Sequence, residues 1–199
     1  MNRGRVGNVL ICLCLTILLI GISRGAAHAQ TKLVKPLSGG TLQITKSGSY
    51  FFGSNFVSAL KNSPVISVAP GVNNVTINLN GFSIIGPGVA GTGAGIKAPT
   101  NSGIIVVNGT ITKIPGNAVV VGSNSTVAGM QIIGNAGDGV QCSSNCLVNS
   151  NIVTNNTGTG LNFVDGSSGY QNNIISGNGT NVTGGTNMGH NVCGTSLCP

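Results

Sequence analysis

The stretch NNVTINLNGFSIIG, Asn73–Gly86, sets Val75, Ile77 and Leu79 on one face and Thr76, Asn78 and Asn80 on the other. Alternation with a period of two marks a half-buried strand rather than a helix. It stops at Asn80-Gly81, a turn dipeptide, and a second apolar run, Phe82–Ile85, begins almost at once. A chain that turns so soon and returns to strand is built from short strands joined by tight corners.

Downstream the same device recurs. Val119, Val140, Leu161 and Val182 stand 21 residues apart. Each follows a small or turn-forming residue: Ala118, Gly139, Gly160 or Asn181. A second set runs Val127, Val148, Tyr170. After it come the apolar pairs Ile132-Ile133, Ile152-Val153 and Ile174-Ile175, and then Asn135, Asn155 and Asn178. Upstream, Gly95–Gly109 and Val65–Gly88 form longer units. A period of 20 to 25 with short strands predicts a solenoid. Leucine-rich repeats share the period, but this chain lacks their leucine framework and repeat helix. Asn-Gly, Gly-Asn and Gly-Thr corners supply positive-φ turns. The expected fold is therefore all-β: a single-stranded parallel β-helix with coils of about 21–23 residues, each about 4.8 Å above the last. Equivalent apolar residues pile up inside it, and turn asparagines can form ladders.

Composition agrees with an ordered but unusual chain. Charged residues make up 6% of the 199, against about 25% in an ordinary soluble domain. Hydrophobic residues make up 40%, enough for a core, and 33 glycines serve the corners. At the N-terminus, Arg3 and Arg5 precede an apolar run, Val9–Ile22, and Ala27-His28-Ala29 fits a cleavage site. Residues 1–29 read as a secretory signal peptide, because the run is short for a membrane span. No stable membrane anchor is then expected after cleavage, and the protein is expected to be secreted or periplasmic. The remainder carries six lysines and two aspartates, a formal charge of +4, with no Arg or Glu. That balance can attract acidic polymers. Nucleic acid is not an expected partner, since there is no basic cluster and no arginine fork.

Four stretches carry a family resemblance: SGSYFFGSNF (Ser47–Phe56), VISVAPGVNNVTINLNGFSIIGPG (Val65–Gly88), VVNGTIT (Val106–Thr112) and GGTNMGHNVCGTSLCP (Gly184–Pro199). Together they resemble the secreted right-handed parallel β-helix proteins of the pectin-lyase-like superfamily, in particular a group of small proteins of that fold. The resemblance covers nearly all of the chain after residue 29. It implies the fold and the right-handed coil, but not one function, because the fold hosts lyases, hydrolases, esterases, tailspikes and adhesins. The expected organisation is 30–64 as an N-terminal cap and first irregular coil, 65–186 as regular coils and 187–199 as a C-terminal cap.

Cys142, Cys146, Cys193 and Cys198 are an even set behind a signal peptide, which points to disulfides. Three pairings are open. The local one, Cys142–Cys146 with Cys193–Cys198, is preferred over the alternatives and over a zinc site.

Candidate chemistry is sparse. Hydrolases of the resembling fold use paired carboxylates; its lyases use a carboxylate-held calcium and a basic residue. Neither set carries over residue by residue. Asp138 and Asp165 are the only carboxylate side chains, 27 residues apart, so they fall on different sides of a coil. Each sits in a turn, where aspartate bonds the backbone. His190 stands alone in the tail, without a nucleophile or an orienting partner. These three are weak catalytic candidates. Lys97, Lys113 and Tyr170 are weak binding candidates, although Tyr170 aligns with Val127 and Val148 and is expected to face inward. No metal or cofactor is expected; calcium has little support from two isolated aspartates. The leading expectation is a non-catalytic binder of an extended polymer such as a polysaccharide along one face. The alternatives are a degenerate or unusual polysaccharide lyase or hydrolase, and a structural or surface-display module. Oligomeric state has no sequence signal.

Overall fold

The computed structural model describes residues 31–34 and 40–198. The expected signal peptide, residues 1–29, lies outside them. The described residues contain strands and no helix, stacked in parallel as a solenoid of about seven turns. Each turn adds one strand to a narrow seven-stranded sheet and one or two to a wide fourteen-stranded sheet, which a bend divides.

The register follows the repeat. Val119 pairs with Val140, Val140 with Leu161 and Leu161 with Val182. The first three are fully buried, and Val182, in the last turn, is half-buried. Burying each such side chain completely contributes about 1.5–3 kcal/mol, so the pile is a main source of cohesion. Val75, Ile77 and Leu79 of the opening stretch are likewise buried, and the corner after them is a coil corner. Val127, Val148 and Tyr170 also stack inward.

The period is not uniform. It is 21 between Val119, Val140, Leu161 and Val182, and 23 between Ile96 and Val119. It is 30 between Ile66 and Ile96 and 24 between Leu42 and Ile66. The longest coil carries its excess in the loop between Ile85 and Ile96, where Gly86–Gly95 form no strand.

Corners set the shape. At the bend of the wide sheet, Asn108, Gly129, Ser150, Asn172 and His190 stack in the left-handed conformation, with φ of 59°, 63°, 57°, 56° and 57°. At the next corner, Lys113, Gly134, Asn155 and Gly177 do the same, at 57°, 66°, 57° and 65°. The residue that follows is turned inward, and asparagine there fills the corner. Asn135 donates to Asn156 at 2.8 Å and Asn156 to Asn178 at 2.9 Å. Their acceptor oxygens also take the backbone N–H of the preceding rung, as Asn156 does from Asn135 at 3.1 Å. A second ladder joins Asn151, Asn173 and Asn191 at 3.0 and 2.9 Å.

Two details of the expected repeat are corrected. The ladder residue between Asn135 and Asn178 is Asn156, not Asn155, which occupies the exposed left-handed position before it. The apolar pairs are also out of step: Ile132 stacks on Val153 and Ile175, which leaves Ile152 and Ile174 facing solvent. The physical reason is the period-two pleat, in which a shift of one residue reverses the face.

Both ends carry extra pairing. Thr31–Val34 lies parallel against the first coil. At the other end Val192–Cys193 turns back antiparallel onto Ser196–Leu197. The Cys193–Cys198 disulfide, with Cα atoms 4.8 Å apart, fastens that hairpin. Cys142–Cys146, at 6.4 Å, clips a corner from within the core.

Candidate functional site

In the four strands Ile66–Val68, Ile96–Ala98, Val119–Val121 and Val140–Cys142 of the narrow sheet the first and last residues turn inward and the middle one out. Pairing aligns those middle residues with their register partners in the other strands into one row: Gln43, Ser67, Lys97, Val120, Gln141, Asn162 and Thr183. Seven rungs at about 4.8 Å span about 29 Å, long enough for several units of an extended chain. Val120 is the one apolar member.

A wall rises beside this row. The loop from Gly86 to Ala94 is tied down by backbone bonds. Gly88 N–H donates to Lys113 O at 3.0 Å, Gly93 N–H to Lys61 O at 2.8 Å and Gly116 N–H to Gly93 O at 2.9 Å. Gly86 allows this close approach, since a Cβ there would overlap the carbonyl of Lys113. Between loop and corners lie two open depressions. One, of about 550 Å³, is lined by Val89, Lys113 and Asn155 among others. The other, of about 510 Å³, is lined by Thr92, Lys97, Asn117 and Gln141 among others. They share Ala136, so they read as two parts of one groove along the edge of the outward row.

Lys113 is the conformational exception of its column. Its stacked equivalents are Gly134, Asn155 and Gly177, which suit positive φ. A lysine in this conformation costs about 1 kcal/mol. An outlier of this kind at a groove points to use. Its aliphatic stem packs over Gly88, 3.7–3.9 Å from where a Cβ would stand.

The structure therefore places Lys97 and Lys113 on adjoining depressions, from coil positions that no repeat aligns. Asp138 follows Gly137 of the second depression and has both oxygens occupied: Oδ1 accepts Thr159 N–H at 2.8 Å and Oδ2 accepts Asn162 Nδ2 at 2.8 Å. Asp165 sits at a different corner, accepting from the Ser167 backbone at 3.0 Å and hydroxyl at 2.6 Å. His190 is an exposed corner residue of the C-terminal end. Tyr170 is buried and stacked on Phe163, ring centroids 5.7 Å apart, and burial pushes its phenol pKa up. Among the described residues no three of His, Cys, Asp or Glu converge to hold a metal.

Three residues were not singled out from the sequence: Asn117 and Gln141, which line a depression, and Asn162, which stands next to Gln141 on the outward row. Gln141 and Asn162 were accessible in principle, since they stand 21 apart and one past the inward pile. Asn117 had no such signal. No protein-family model, curated protein or solved structure matches this chain.

Proposed function

We propose that this is a non-catalytic binding protein for an extended polysaccharide, held along the narrow sheet between the outward row and the Gly86–Ala94 loop. The observation that carries the reading is a row of mostly polar side chains about 29 Å long, at about 4.8 Å per rung, flanked by adjoining depressions of which one is lined by Lys97 and the other by Lys113. The cations favour an anionic polymer at that end of the groove. Asp138 and Asp165 are committed to turns at separate corners, so they do not form a carboxylate pair for acid–base cleavage. The signal-peptide pattern and the two local disulfides support a secreted or periplasmic location. The repeat architecture supports placement near the pectin-lyase-like β-helix proteins.

Isothermal titration with a hexameric uronate, on the purified chain and on the double variant Lys97→Ala/Lys113→Gly, tests it. Each lost charge contact is expected to weaken binding up to about tenfold, and the effect should shrink as salt is added. Absence of binding by the unaltered chain to this hexamer and to a neutral glucan hexamer would overturn the reading.

A further inference from the structure

Hydrogen-bond direction along the groove is set by the backbone. Asp138 N–H can only donate, and it donates to Asn117 Oδ1 at 2.9 Å. That turns the Asn117 amino group to Gln141, whose Oε1 accepts at 2.8 Å. Gln141 is left with its amino group uncommitted on the outward row. One rung further, Thr159 N–H donates to Asp138 Oδ1, and Asp138 Oδ2 can only accept, here from Asn162 Nδ2 at 2.8 Å. Asn162 is left with its carbonyl oxygen uncommitted. Two side chains that could each have faced either way are thereby given opposite polarity. Gln141 offers a donor and Asn162 an acceptor, about 4.8 Å apart.

We propose that Asn117 and Asp138 are positioning residues that fix this donor–acceptor pair, and that the pair receives a neutral, hydroxyl-bearing segment of the ligand. The inference rests on the groove reading above and names its ligand class. Lys97 shares a depression with Gln141, and Lys113 lines the adjoining one. Among the described residues no lysine or arginine stands on the row beyond Lys97, and the Asp138 carboxylate bonded to Asn162 opposes a uniform polyanion there. A hydroxyl both donates and accepts, so vicinal hydroxyls satisfy Gln141 and Asn162 together. The ligand is a glycan with sparse anionic groups between neutral sugars.

The substitution Asp138→Asn separates these effects. The new amide oxygen still accepts Thr159 N–H, but the new amino group then faces Asn162 and turns that side chain around. In titrations of the full chain, a neutral glucan hexamer is expected to bind about tenfold more weakly. A uronate hexamer is expected to bind about twofold to threefold more tightly, since a negative charge has left the groove. The swap Asp138→Asn/Asn162→Asp restores an acceptor on the row and the charge, and should return both affinities to within about threefold of the original. Should Asp138→Asn unfold the corner, Asn162→Ala keeps the Thr159 bond and should weaken the neutral hexamer alone. Parallel losses for both probes, or no change in either, would overturn the positioning role while the uronate still binds. Failure of both probes to bind the unaltered chain would overturn the groove reading itself.

Discussion

The coils before Val119 and those after it solve the same packing problem differently. On the narrow sheet the later coils repeat every 21 residues, and at two of their corners an inward asparagine bonds to the asparagine above. The earlier coils step by 23 to 30 residues, and the interior there is apolar, with Leu79, Ile84 and Ile114 buried. Their one comparable asparagine, Asn101, bonds the carbonyls of Ala69 and Val72 at 2.8 Å each but finds no donor for its own oxygen. A ladder demands that each amide meet the next at one rung height, so a change in coil length must be absorbed away from it, as in the step of 18 from Asn173 to Asn191. An apolar interior has no such requirement and tolerates a corner of any length. That tolerance lets the Gly86–Ala94 loop exist, and the loop makes the groove. The row runs through both halves, and the irregular half supplies the wall.

The contrast can be broken most severely at Asn156. Its side chain exchanges bonds with Asn135 and Asn178 and reaches Ile132 O at 3.1 Å. Replacement by Ala leaves buried partners unsatisfied, with an expected loss of about 3 kcal/mol in urea unfolding. Asn101→Ala should cost about half as much, since it removes bonds in one direction only. Equal losses would erase the distinction between the halves. Next comes Cys193→Ser, which opens a small loop and should cost about 2 kcal/mol. Hydrogen exchange should then rise across Val192–Leu197 and stay unchanged in the first coil. Lys113→Gly relieves the left-handed lysine and should stabilise the chain by about 1 kcal/mol while weakening uronate binding. The smallest effect is expected from one glycine inserted after Val89, below about 0.5 kcal/mol by thermal unfolding, because the loop keeps no repeat register. A large loss there would show that the wall is as constrained as the ladder.

How far the sequence alone reached tracks this division. Val119, Val140, Leu161 and Val182 were legible because period and alternation coincide there. The asparagine ladder was legible in kind but displaced by one position, since Asn155 and Asn156 are adjacent and chemically identical. A strict step of 21 from Asn135 selects Asn156. The second ladder was hidden because its steps are 22 and 18. Lys97 and Lys113 could be singled out as cations, but the depressions they line depend on a loop with no periodicity. Asn117 gains its role only from a backbone N–H one coil away.

Hydrogen–deuterium exchange with and without the uronate hexamer tests the groove most directly. Slowed exchange is expected in the Gly86–Ala94 loop, around Lys113–Asn117 and at Ala136–Gln141, with no change along the wide-sheet row at Val127, Val148 and Tyr170. Protection centred on that row, or none anywhere at saturating hexamer, would contradict the account.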